Sequence, residues 1–479
     1  MFAKTHLREP ECHLIAQDYL RDEPAFVSSL DFGPFVAQGI GPGPSVLIGD
    51  QSEISLFRAS ATLRLDHRMV LLARNGDTAL VRRRESGFER YLAECLGLDD
   101  LTFLQVDTEP LRPVTCQVHG AKRLLDALAD QARMHGGLTL KAYLTTGNVW
   151  RLAQAIGERS GQRIHVCGPS PRATRRANDK LWFSQLARRV IGTHAIPPTL
   201  AAYGPAAAAG LVRRIGGSGR QVIIKVPDSA GSAGNIRLDA AYCQNMALAD
   251  LRQFLLDRLH NIGWRDSYPI LVGVWDENVS HSPSVQMWIP DRSEGDPVIE
   301  EIFEQRVQGG NAAFVGAVSS ALPDAIKARL RNEAAQIACV LQWLGYFGRC
   351  SLDAVICAPA TGPETIHWIE CNGRWGGVSI PMTATRQLLG DALWGPLGSL
   401  PAIAILQEKL RVPGMNCDAL RQRLSDLLFQ QGRDPSGLVI MSPPEHPTGV
   451  SVNLLAIAET QIDAVGMLAE AMRRLMPAA

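Results

Sequence analysis

The sequence supplies no excess of charge of either sign. Its 479 residues hold 48 Lys and Arg against 48 Asp and Glu, a formal net charge of zero. No global field therefore draws the chain to nucleic acid or to an anionic membrane. No uninterrupted apolar run is long enough to span a bilayer. The opening stretch, MFAKTHLREPECHLIAQDYL, lacks the basic-then-apolar order of a secretory signal. Ten cysteines are scattered from Cys12 to Cys417 without CxxC pairs, which argues for reduced thiols rather than a disulfide frame or a zinc finger. Together these absences predict a cytoplasmic protein without nucleic-acid or membrane partners. Two nucleotide fingerprints are also missing: no GxGxxG follows a strand, and no GxxxxGK[ST] occurs. There is no local Ser-His-Asp or Cys-His signature, and His281 and His367 read as plain polar residues.

What is present is an ordinary globular composition, 46% hydrophobic and 20% charged, in a chain long enough for two to four domains. Residues 1–45 are mixed and end in a glycine–proline loop. Residues 46–175 alternate short apolar runs (45–49, 68–73, 101–106, 138–144, 163–167) with helical spacing at 89–98, 121–134 and 148–160. That alternation predicts an open α/β layer. Arg82, Arg83 and Arg84 read as a solvated charge run. Composition shifts at Arg172, and a helix is expected over 178–190, capped by Asn178 or Asp179. Lys180 falls in its first turn, where the helix dipole favours an anion nearby. A second, alanine-rich helix is expected over 201–215.

The run QVIIKV (221–226) is a strand with Lys225 one residue from its end. A lysine there is costly unless it is paired or reaches an anion. The loop after it, Asp228-Ser229-Ala230-Gly231-Ser232-Ala233-Gly234-Asn235, is built from small and turn-forming residues. Such a loop turns its N–H groups toward a phosphate at close range, although a hairpin tip would read the same way. The strand 268–275 runs into Asp276, Glu277 and Asn278, which could set the backbone of Val274 to Asp276 against a planar base with an acid near a ribose, although a polar turn between two strands would read the same way. Arg306, in the stretch EEIFEQRV within 297–307, is a further candidate to meet phosphate.

Residues 350–377, CSLDAVICAPATGPETIHWIECNGRWGG, read as two strands around a turn at Thr361-Gly362. Closing that hairpin sets Asp353 opposite Glu370, and alternation puts Asn372 on the same face. Two carboxylates and an amide oxygen form a set suited to Mg²⁺, although a surface hairpin of ordinary polar residues would read the same way from this stretch alone.

The ordered set Lys180, Lys225 with its loop, Asp353 and Glu370-x-Asn372-x-Arg374 resembles the ATP-grasp superfamily over roughly 175–380. The resemblance implies a multidomain α/β and α+β chain. Its parts would be an N-terminal pre-ATP-grasp layer (46–175), a two-lobed clamp (176–380) and a small C-terminal α/β module (381–479). It further implies that Lys180 and Lys225 contact ATP phosphates under the 228–235 loop (Ser229, Gly231, Ser232, Gly234), and that Asp353, Glu370 and Asn372 hold Mg²⁺. Arg374, Lys225 and Arg306 would serve the transferred phosphate. The hinge reads VGVWDENV where the family usually has an earlier glutamate, so Asp276 or Glu277 would take its place beside Val274. The flanking modules look similar to a narrower group, the pheganomycin-type peptide ligases of natural-product pathways.

The implied reaction activates a carboxylate as an acyl phosphate and transfers it to an amine of a small molecule or peptide. Two other readings share the same residues: transfer to a carrier-protein thiol, and a nucleotide-binding regulator without catalysis. Similar ligases are commonly dimers.

Overall fold

The computed structural model describes residues 9–26, 32–56, 65–106, 112–229, 233–309, 313–358, 364–390, 401–410, 415–433, 435–444 and 450–476. Three sheets organise them. The first is parallel, in the order β1-β6-β5-β2-β3-β4, from β1 (Val36–Gln38), β2 (Ser45–Ile48), β3 (Thr78–Val81), β4 (Thr102–Gln105), β5 (Leu138–Ala142) and β6 (Ile164–Val166). All four residues of β2 and of β3 are buried, as expected of strands covered on both faces. The helices Lys122–His135 and Gly147–Ser160 carry matching apolar stripes.

Two sequence expectations fail in this layer. The apolar run 68–73 is not a strand: Leu65–Leu72 forms a 3-10 helix with all eight residues buried. A short apolar run does not by itself distinguish buried strand from buried helix. Arg82 is not solvated either. Its side chain is 1% exposed and pairs with Asp50 at 2.9 Å, with further bonding to the Arg112 carbonyl. Asp50 also accepts from the Val114 N–H at 2.8 Å and from the Ser52 hydroxyl at 2.9 Å. Replacing Arg82 with methionine would leave this buried carboxylate without its cation, a loss of about 3–5 kcal/mol. The expected outcome is a much lower denaturant midpoint with an unchanged slope. A drop below about 1 kcal/mol would show that the Val114 and Ser52 contacts suffice for Asp50.

The second sheet is antiparallel, in the order β7-β10-β8-β9, from β7 (Thr199–Ala202), β8 (Val222–Lys225), β9 (Asn235–Leu238) and β10 (Ile270–Val274). Val212, Leu251, Leu255 and Trp264 share one buried cluster with Val222, Ile224 and Val272 of its strands. The alanine-rich helix begins at Pro205 rather than at 201, because residues 201 and 202 belong to β7, paired with β10.

The third sheet has nine strands. They are β11 (Val279–His281), β12 (Pro283–Ile289), β13 (Val298–Gln308), β14 (Ala313–Ser319), β15 (Gly348–Cys357), β16 (Thr365–Asn372), β17 (Ala402–Leu410), β18 (Gly437–Ile440) and β19 (Val450–Ala458). β15 is flanked by β16 on one side and by β12 and β11 on the other. The last hundred residues, expected to form a small module, contribute β17, β19 and β18 to this same sheet through β14. The long helix Asp324–Trp343 packs beneath it. There the buried Trp368 indole donates to Glu333 at 2.8 Å. Among the described residues no helix is long and apolar enough to cross a membrane, and all ten cysteines are free.

Candidate active site

The β15–β16 hairpin has the register that residue alternation predicts, with Asp353 opposite Glu370 and Ser351 opposite Asn372. Its turn at Thr361-Gly362 lies outside the described residues. A register shift follows Asp353. It lets Trp368 turn into the core while Glu370 stays on the open face, the re-aiming effect of a bulge. Both Asp353 oxygens are held: Oδ1 accepts from the Ser284 hydroxyl at 2.5 Å, and Oδ2 from the Asn372 amide at 2.9 Å. The Gln286 amide in turn donates to Ser284 at 2.8 Å. Burial pushes Asp353 above the usual carboxylate range, and the Glu370 charge adds to the effect. Hydrogen bonds from Ser284, Gln305 and Asn372 oppose it.

The cations arrive from two other segments. Asp179 caps the helix Lys180–Val190, accepting from the Leu181 and Trp182 N–H groups. The Lys180 N–H donates to the Pro227 carbonyl at 3.2 Å, which ties this helix to the loop after β8. The Lys180 ammonium, 5% exposed, reaches Glu370 at 3.0 Å and the carbonyl and hydroxyl of Ser229. For Glu370, burial alone would raise the pKa. Lys180, Arg374 and Lys225 outweigh it and hold the carboxyl below its ordinary value. Lys225, at the end of β8, is pushed down to about 8 by desolvation and by Lys180, with Glu370 and Asp276 acting the other way.

Arg374 donates to the Asn178 side chain, and the Asn178 amide donates to the Gly373 carbonyl at 3.1 Å. A Cβ at Gly373 would sit 2.6 Å from that of Ala177, so this approach of loop to helix requires glycine. The Arg374 Nε is buried without a partner among the described residues. In the small-residue loop, Ser229 is buried and bonds the Val226 carbonyl at 2.8 Å. Gly234 packs so tightly on it that a Cβ would lie 2.2 Å from the Ser229 oxygen. Gly231 and Ser232, two of the expected phosphate contacts, lie outside the described residues.

At the hinge, the Val274 N–H is already bonded to the Pro198 carbonyl at 2.9 Å. Asp276 is hydrogen-bonded to His367 at 2.9 Å, and Glu277 is exposed. The structure thus brings Lys180, Lys225, Asp353, Glu370, Asn372 and Arg374 together. It does not bring Arg306 to them. That residue is exposed on β13 next to Gln305, whose side chain serves Asp353, and strand alternation sends Arg306 to the opposite face. Sequence reasoning missed Ser284, Gln286 and Gln305. The polar-apolar alternation of SVQMWI held the signal for the first two.

Known proteins share this fold. Residues 66–158 match the family described as the pre ATP-grasp domain. Three solved structures align over nearly the whole chain. The ADP complex of N5-carboxyaminoimidazole ribonucleotide synthetase is 11% identical, covering 92% of this chain and 98% of that one, with a TM-score of 0.53. The biotin carboxylase of Campylobacter jejuni is 14% identical, covering 91% and 92%, with a TM-score of 0.54. The chain has the fold of the ATP-grasp ligases. N5-carboxyaminoimidazole ribonucleotide synthetase from Thermus thermophilus is 14% identical, with 90% and 97% coverage and a TM-score of 0.52. No curated protein matches the chain in sequence. The residues matched by the pre-ATP-grasp family include β3, β4 and β5 of the parallel sheet.

Proposed function

We propose that the protein is an ATP-dependent ligase that activates a carboxylate and joins it to an amine. The observation that carries this reading is the convergence of Lys180 and Lys225, from two segments outside the hairpin, on the Asp353–Glu370 pair. Two lysines, Lys180 buried and Lys225 half-buried, beside two carboxylates form an arrangement that a polyphosphate and a divalent cation would complete. The ADP complex of the synthetase and the ATP complex of the biotin carboxylase support the choice of nucleotide. In this reading the second and third sheets are the two halves of the nucleotide clamp.

Asp353, Glu370 and the amide oxygen of Asn372 fit Mg²⁺. They are all oxygen donors, and burial beside Glu370 already holds the Asp353 carboxyl above its usual range, a strain that a cation between them would relieve. Bound there, the ion would neutralise charge on the phosphoryl oxygens. Lys180 and Lys225 would bind phosphate oxygens, with Ser229 fixing the Lys180 ammonium from behind. Arg374 would orient the acid or the acyl phosphate, its guanidinium already anchored by Asn178. The backbone of 274–276 and the exposed Glu277 carboxylate would line the base and ribose end. Such chemistry is mainly positioning and charge neutralisation, so no nucleophilic side chain is required. Peptide-bond formation in a biosynthetic pathway is the finer form of the proposal, and it rests on the sequence resemblance of the flanking modules alone.

The test measures ADP and phosphate release from Mg-ATP with pooled acids and amines. Release that requires both an acid and an amine is the expected result. ATP binding without turnover across a broad panel would overturn the ligase reading in favour of a regulator.

A further inference from the structure

A second cluster lies toward the hinge end of the same hairpin, and its chemistry differs from that of the oxygen-rich site. Cys357 ends β15, pairing with Thr365 of β16 and with Val279 of β11. His367 pairs with Val355. Residues 355 and 357 share a face, so Cys357 and His367 are diagonal neighbours. Asp276 comes from the segment after β10, which is tied to the end of β15 by the Ala358 N–H donating to the Asn278 carbonyl at 3.1 Å. One donor atom from each of Asp276, Cys357 and His367 lies within 4.8 Å of the other two, and all three side chains are partly buried.

We propose that Asp276, Cys357 and His367 form a three-ligand site for a borderline divalent ion, Zn²⁺ foremost, with a fourth position open to water or an added donor. A tetrahedral ion with bonds of about 2.0–2.3 Å holds its ligand atoms roughly 3.3–3.8 Å apart, so side-chain rotation alone closes the cluster. Thiolate sulfur and imidazole nitrogen disfavour Mg²⁺ and Ca²⁺ and favour Zn²⁺ or Co²⁺. One carboxylate and one thiolate balance the double positive charge, so the ion enters a partly buried place without leaving net charge behind. On binding, the Cys357 thiol loses its proton to solvent as the metal–sulfur bond forms, with no change of oxidation state.

Co²⁺ reports on this site directly, because a thiolate ligand produces a charge-transfer absorption that oxygen ligands do not. Titration of the full chain with Co²⁺ in the absence of nucleotide is expected to saturate at one equivalent with that band, and Zn²⁺ is expected to displace it. Cys357→Ser should lose the band, and His367→Ala should weaken binding at least about tenfold. Glu370→Gln should keep both band and affinity, which separates this site from the oxygen cluster. Circular dichroism checks that each variant is folded. Absence of saturable binding, a band that persists in folded Cys357→Ser, or full displacement by millimolar Mg²⁺ would overturn the proposal. Since no nucleotide is used, these outcomes are independent of the ligase reading.

Discussion

Glu370→Gln is expected to lower turnover by roughly 10³-fold or more while leaving the fold intact. The substitution keeps the shape of the side chain and removes its charge. That charge faces the Lys180 ammonium at 3.0 Å and lies directly across the ladder from Asp353. Removing a metal-holding carboxylate forfeits several kcal/mol of transition-state stabilisation, and each 1.36 kcal/mol is tenfold in rate. Folding should survive because the Glu370 side chain, 21% exposed, sits on the open face of the sheet and not in its apolar core. With the Glu370 charge gone, Asp353 loses one of the two causes that raise it, so its carboxyl should titrate lower than in the parent chain. Phosphate release under saturating Mg-ATP reads the rate, and a thermal melt reads the fold. A rate within tenfold of the parent would refute the placement of the cation.

Lys225 should make nucleotide binding depend on pH in a window that few lysines reach. Its folded-state pKa of about 8 lies well below the roughly 10.4 of an unfolded chain. The unfolded chain therefore binds more protons between these values. The cost to stability of keeping Lys225 charged is full below pH 8 and fades as pH rises toward 10.4. Binding runs the other way, since a polyphosphate favours the charged ammonium and raises its pKa. Affinity for ATP should hold below pH 8 and fall above it, with about one proton taken up per nucleotide bound. Calorimetry in buffers of different ionisation enthalpy measures that uptake directly. Lys225→Met should abolish the proton uptake and weaken binding about 10- to 100-fold, the range for a lost hydrogen bond to a charged group. Unchanged proton uptake in that variant would assign the titration to another group.

The parts of the site that lie close in sequence were legible. Period-two alternation around a turn sets Asp353 against Glu370 without any tertiary information. The cap at Asp179, the strand under Lys225 and the small-residue loop likewise follow from local rules. What local rules could not supply were partners far along the chain. Nothing near Arg82 announces Asp50, 32 residues away, so the arginine run looked solvated. Ser284 and Gln305 reach Asp353 only once β12 lies beside β15 and β13 beside β12. Arg306 and Gln305 differ by one position, and strand pairing alone decides which of them faces the cleft. Residues 68–73 failed for another reason: an apolar run of that length suits a buried helix as well as a strand.

The third sheet has one further consequence. Because β14 passes directly to β17, and β17 to β19, the hydrogen-bond ladder that begins at the acidic hairpin continues without a seam into the final third of the chain. A polypeptide ending near residue 380 would present β14 as a raw edge, its backbone groups at 316–318 stripped of their partners at 404–406 and free to recruit another chain. The C-terminal strands thus act as the selvedge of the third sheet, guarding it against fraying and against its own copies.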